Sequence, residues 1–242
     1  MSEANPHNVA LVTGAAGSFG SALAVQLAKS GWEVVLLDHK RRKLEKLYDL
    51  IVAEGGIEPV IHVMDLVALD PQRCDEIITA LQAGPGRLDA LVHCAVSFDG
   101  LRPLDQIAPQ NWLRQIQVNL NAPWLLSISS LELLRLSPQA NLVFMGEDLD
   151  NVAGAYWGAY GVSKHAIYAM ASQFQRELSN SNIRVLAVNP GPMRSPLRSR
   201  AHHSENPKVV KQVDEAALQL VSLLQRKRLS ESYCVNLELD RP

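Results

Sequence analysis

Cysteine is scarce in this chain. Cys74, Cys94 and Cys234 are the whole set, an odd number without CxxC spacing. That pattern predicts neither a disulfide framework nor a metal site, and a reducing, cytoplasmic setting fits it best. A surplus of positive charge is also missing, with 23 Lys and Arg against 25 Asp and Glu. The footprint of a nucleic-acid binder is therefore absent, and nothing calls for an anionic membrane as partner. No apolar stretch reaches the ~18 residues of a membrane span. The opening MSEANPHN is polar, which predicts no secretory leader. Repeats and low-complexity tracts are lacking too. What remains is a 242-residue chain with 47% hydrophobic and 20% charged residues. That composition supports a sizeable core and argues against intrinsic disorder.

Short apolar runs alternate with longer amphipathic ones. Val9–Thr13, Trp32–Leu37, Pro59–Met64, Ala90–Cys94, Asn141–Met145, Ile183–Val188 and Tyr233–Leu237 read as strands. Between them, Ser21–Lys29, Lys43–Ala53, Pro71–Gln82, Asn111–Leu136, Tyr160–Leu178 and Val209–Arg226 carry helical spacing. Pro123 is expected to kink or split its helix. Strict alternation of this kind predicts an α/β fold, a doubly wound parallel sheet of about seven strands with helices on both faces. We expect a flexible N-terminus over residues 1–8, a single domain over 9–242, and a mobile loop around 192–208. Ligands on such sheets bind beyond the carboxyl ends of the strands.

Thr13-Gly14-Ala15-Ala16-Gly17-Ser18-Phe19-Gly20 joins the first strand to the first helix. A strand–glycine turn–helix presents backbone N–H groups at the positive end of a helix dipole, which suits a pyrophosphate. Asp38 ends the second strand at the distance expected for an acid that accepts both hydroxyls of an adenosine ribose. It would repel a 2′-phosphate, so NAD(H) is expected over NADP(H). The following His39-Lys40-Arg41-Arg42 argues the other way. Asp65, followed by Leu66, reads either as an adenine contact or as a helix N-cap.

Tyr160-Gly161-Val162-Ser163-Lys164 sets a phenol and an ammonium on one helix face at i,i+4. An ammonium favours phenolate and should lower the tyrosine pKa, as proton transfer to or from a carbinol oxygen requires. The pair follows a fifth strand and precedes a sixth that ends Asn189-Pro190-Gly191-Pro192. With the TG turn, this order resembles the short-chain dehydrogenase/reductase family, single-domain branch, over about residues 9–237. The resemblance implies a three-layer Rossmann fold, a nicotinamide cofactor, a small alcohol or carbonyl substrate, and homodimers or homotetramers built on the long helices. It assigns acid/base chemistry to Tyr160 and ribose binding to Lys164. Asn119 takes the place of an asparagine whose backbone holds a relay water. Pro190 and Gly191 match the turn beside the nicotinamide, Ser195 a carboxamide binder, and Cys94 and Ala95 the cofactor-side end of the fourth strand.

The family pattern breaks at three places. Its usual serine after the fifth strand is Glu147, a carboxylate that would oppose Lys164 by raising the Tyr160 pKa. The middle glycine of the TG turn is Ser18. His93-Cys94-Ala95-Val96 stands where the family has Asn-Ala-Gly, and Val96 is expected to press on the ribose. Two readings follow: an altered oxidoreductase with Glu147 as substrate binder, or a dinucleotide-binding protein without turnover. Arg194, Arg198, Arg200, His202 and His203 lie after Gly191. They read as a solvated lid or as a selector of anionic substrates. Tyr156 and Trp157 are candidates for the pocket wall.

Overall fold

The computed structural model describes residues 7–226 and 234–237. The expected flexible N-terminus and the start of the last strand at Tyr233 therefore fall largely outside the described residues. The strands are β1 (Asn8–Thr13), β2 (Trp32–Asp38), β3 (Val60–Val63), β4 (Ala90–His93), β5 (Ala140–Met145), β6 (Ile183–Asn189) and β7 (Cys234–Asn236). All pair in parallel, in the order β3-β2-β1-β4-β5-β6-β7. The chain leaves β1 toward β2 and β3, then returns to place β4 on the other side of β1. That reversal opens a crevice at the carboxyl ends of β1 and β4.

Side chains along a strand alternate between faces, and the sequence fills both. Ala10 and Val12 of β1 enter one core, while Val9 and Leu11 enter the other. The first core takes residues of α1 (Ser18–Lys29), α2 (Arg41–Ala53) and α9 (Val213–Gln225). The second takes Ile77 of α3 (Pro71–Ala83), Leu126 of α5 (Ala122–Arg135) and Ile167 of α7 (Gly158–Glu177). This is the predicted three-layer arrangement.

The long helix expected over 111–136 is interrupted just before Pro123. α4 (Pro109–Ile116) runs into a π-helical turn over Gln117–Asn121, and Pro123 sits in the first turn of α5. A π turn is a frequent mark of a functional site. The segment 192–208, expected as a loop, holds α8 (Pro196–Ala201), capped by Ser195 Oγ accepting from Arg198 N at 3.2 Å. The short α6 (Leu149–Val152) is likewise capped by Asp148. Asp65 caps the 3₁₀ turn Leu66–Ala68, accepting from Val67 N at 3.0 Å, and Leu66 is buried in the second core. For Asp65 the N-cap reading is the one observed.

Candidate active site

The crevice holds a cavity of about 460 Å³, within the range of small-molecule sites. One end is the glycine turn, where Gly14, Gly17, Ser18, Phe19 and Gly20 line the wall. Gly14 has φ +65°, and a Cβ there would lie 2.6 Å from Ala95 Cα. A Cβ on Gly20 would lie 2.3 Å from the Gly14 carbonyl oxygen. Both positions demand glycine, because the chain leaving β4 presses on Gly14 and the first turn of α1 packs Gly20 against the turn. Gly17 caps α1 and no side chain occupies that end, leaving its N–H groups to face a ligand.

Asp38 ends β2 as expected but turns into the scaffold. Its Oδ2 accepts from Ala16 N at 3.2 Å and its Oδ1 from Lys40 N at 3.0 Å. It is buried and is not part of the cavity wall, whereas Lys40 and Lys43 are. Ala95 also stays outside the wall. Its N–H donates to Thr13 Oγ1 at 3.2 Å, which ties the ends of β1 and β4 together. Asp65 and Leu66 do not reach the cavity either. Cys94, Pro190, Gly191 and Ser195 all line it, and burial pushes the Cys94 thiol up, away from thiolate chemistry. Val96 is 42% exposed and stands on the cavity wall.

The other end gathers Glu147, Tyr160 and Lys164. Tyr160 Oη donates to Glu147 Oε2 at 2.9 Å. Lys164 Nζ donates to the Met145 carbonyl at 2.6 Å and stands 5.5 Å from the centre of the Tyr160 ring. Burial, then the charge of Glu147, then its hydrogen bond hold the Tyr160 pKa well above the usual phenol value. This corrects the expectation that Lys164 lowers it. The carboxylate touches the hydroxyl, while the ammonium faces a carbonyl. Burial also pulls the Lys164 pKa down, against the pull of Glu147.

Two groups behind these were not legible beforehand. Tyr168 Oη donates to the Glu147 carbonyl at 3.0 Å. A Cβ on Gly146 would meet that hydroxyl at 2.4 Å, so the Gly146–Glu147 bend is built around Tyr168. Phe98 stands 5.1 Å from Tyr160 and 5.6 Å from Trp157, centre to centre. It lies in an irregular segment with no periodicity to reveal it. Asn119 is buried and outside the wall. Its Oδ1 accepts from Ser97 N at 2.7 Å, and its Nδ2 donates to Ser97 O and Ser163 Oγ. Its side chain therefore fixes the segment that carries Phe98. Trp157 lines the cavity, but Tyr156, at φ 77°, is exposed and does not.

A family model described as short chain dehydrogenase matches residues 8–206. The chain belongs to the short-chain dehydrogenase family. It is 32% identical over 207 residues to the uncharacterized oxidoreductase YciK of Escherichia coli K12, which covers 84% of this chain and 80% of that protein. Two solved short-chain dehydrogenases superpose with TM-scores of 0.90 at 28% identity. One is from Shigella flexneri, complexed with NADP (98% of this chain, 100% of that one). The other is from Escherichia coli CFT073, complexed with NADPH (98% and 99%). The chain is accordingly an NAD(P)-dependent oxidoreductase acting on a small molecule, and none of these comparisons speaks for the reading without turnover. Among the described residues, no helix is long and apolar enough to cross a membrane, and no cluster of metal-ligating side chains occurs.

The residues present fit a nicotinamide dinucleotide. The turn that excludes any Cβ at Gly14 and Gly20 would cradle the diphosphate, and Lys164 and Gly191 border the reacting end. Replacing Gly20 by Ala should weaken binding of NADH and NADPH by roughly tenfold or more, since the Gly14 carbonyl must move. Fluorescence titration of the reduced dinucleotides checks this, and unchanged affinity would contradict it.

Proposed function

We propose that this short-chain dehydrogenase is an NADP(H)-dependent carbonyl reductase in which Tyr160 is the acid. The observation that carries this is the Tyr160–Glu147 hydrogen bond, which keeps the phenol protonated. A protonated phenol in a cavity is ready to give its proton to a carbonyl oxygen. In the reverse direction it must first lose that proton, so alcohol oxidation calls for more alkaline conditions. When bound, the dinucleotide supplies or accepts hydride at its nicotinamide. Lys164 would hold the ribose of that half, and Pro190, Gly191 and Ser195, which line the same end of the cavity, would hold its carboxamide. Glu147 takes the place of a serine as the partner of the hydroxyl side of the reacting group. It exchanges the Tyr160 proton with solvent through its half-buried carboxylate. Asn119 serves through the π-helical backbone that it occupies.

The preference for NADP(H) reverses the one drawn from Asp38. Its two carboxylate oxygens are taken by the Ala16 and Lys40 N–H groups, and it is not part of the wall, while Lys40 and Lys43 border the cavity. A 2′-phosphate would meet ammonium groups there. The two similar structures hold NADP and NADPH, which supports this reading. Assembly through the long helices is part of the same reading, because Trp124 and Ile128 of α5 and Val162 of α7 stay exposed. Sedimentation should find a dimer or tetramer, and a monomer at micromolar concentration would contradict that part.

The experiment is steady-state reduction of a carbonyl panel with NADPH and NADH. Wild type should favour NADPH. Tyr160→Phe should lose activity by roughly 10²-fold or more while still binding NADPH. Lys40→Ala combined with Lys43→Ala should raise the KM for NADPH by about tenfold, the equivalent of ~1.4 kcal/mol, without changing that for NADH. Full activity in Tyr160→Phe would overturn the catalytic assignment. A preference for NADH would overturn the cofactor assignment.

A further inference from the structure

Most charged groups around the catalytic end of the cavity are matched. Glu147 stands with Lys164 and Tyr160. Asp99 takes both its hydrogen bonds from Arg114 Nη2, at 2.6 and 2.7 Å. Arg198 grips Glu205 with two bonds of 2.6 Å. Arg200 differs. It lines the cavity from the last turn of α8, and no carboxylate pairs with it among the described residues. Its Nη1 donates to the Phe98 carbonyl at 2.7 Å. Its aliphatic stem lies over Gly100, whose Cβ position would be 4.0 Å from Cγ and Cδ. Gly100 has φ +98°, a conformation that L side chains rarely adopt. The guanidinium is therefore seated, with its remaining N–H donors left for a ligand. Beside it, His202 packs on Trp157 at 6.0 Å, and Trp157 and Phe98 supply an apolar wall.

We propose that the substrate of this enzyme carries a carboxylate, bound by Arg200 with His202 beside it, on a carbon skeleton held against Phe98 and Trp157. The guanidinium fork matches a carboxylate in two parallel hydrogen bonds. Of the five basic groups after Gly191, three line the cavity, and Arg198 among them is neutralised by Glu205. The position of Glu147 narrows the class. A carboxylate bonded directly to the reacting carbonyl carbon would sit within a few ångströms of Glu147. Two like charges that close in a partly buried cavity repel strongly. The substrate is thus an oxo acid whose carboxylate is separated from the carbonyl by at least one carbon, or the matching hydroxy acid. In the reduction, the carbonyl carbon gains a hydrogen and two electrons from NADPH, which leaves as NADP⁺. The oxygen takes the Tyr160 proton, which solvent replaces.

This inference rests on the oxidoreductase reading, so the test separates the two. Reduction of 4-oxo-4-phenylbutanoate, its methyl ester and 2-oxo-2-phenylacetate is followed with NADPH in wild type, Arg200→Gln and Arg200→Lys. Calorimetry then measures binding of each to the enzyme saturated with NADP⁺. The 4-oxo acid should show a KM at least tenfold below those of its ester and of the 2-oxo acid. Arg200→Gln should erase that advantage by raising the KM of the 4-oxo acid at least tenfold more than that of its ester, with the NADPH affinity kept, and Arg200→Lys should restore part of it. Equal KM values for acid and ester, or an Arg200→Gln effect shared by both, would overturn the inference and leave the oxidoreductase intact. Binding of the acid through Arg200 without turnover would support the inference and count against the Tyr160 chemistry. Neither binding nor turnover of any acid would overturn the inference.

Discussion

The hydrogen bond from Tyr160 Oη to Glu147 Oε2 decides which proton the site can give and which it must first lose. A buried phenol is already reluctant to ionise, because burial penalises its charged form. A carboxylate that accepts its proton and repels a phenolate adds to that reluctance. Lys164 does not undo it, since its ammonium is spent on the Met145 carbonyl. The resting site thereby holds Tyr160 in its protonated form.

That bond depends on features well away from it. Tyr168 holds the Glu147 carbonyl, and Gly146 leaves the room it needs. Parallel pairing of β5 with β6 and β4 brings the end of β5 to the crevice, and α7 delivers Tyr160 and Lys164 one turn apart. On the opposite wall, Asn119 sits in a π turn and clamps Ser97, which sets Phe98 against Tyr160. One tight turn at Gly14 and Gly20 then brings the other half of the cavity within reach.

Much of this was readable in the residues. Alternating apolar runs define the parallel sheet because each period has one structural meaning, and the seven strands fall within a residue or two of their expected places. Gly14, Gly20, Tyr160 and Lys164 were found because their spacing is local and their chemistry is unusual. What escaped was set by long-range contacts. Whether Asp38 faces a ligand or the backbone depends on the path of the glycine turn, and here Ala16 and Lys40 take its oxygens. Phe98 and Tyr168 carry no local signature, because partners tens of residues away give them their roles, and which of the basic groups after Gly191 lacks a carboxylate depends on Glu205 pairing with Arg198. The π turn over Gln117–Asn121 has no periodicity of its own, and Pro123 marks only the neighbourhood of the irregularity.

The most direct measurement is the ionisation of Tyr160 itself. Tyrosine labelled with ¹³C at Cζ is titrated by NMR in wild type and in Glu147→Gln, with Tyr160→Phe identifying the resonance. Loss of the carboxylate removes both the repulsion and the charged acceptor that favour the neutral phenol, so Tyr160 should ionise at lower pH in Glu147→Gln than in wild type. Ionisation at the same or a higher pH in the variant would contradict the account.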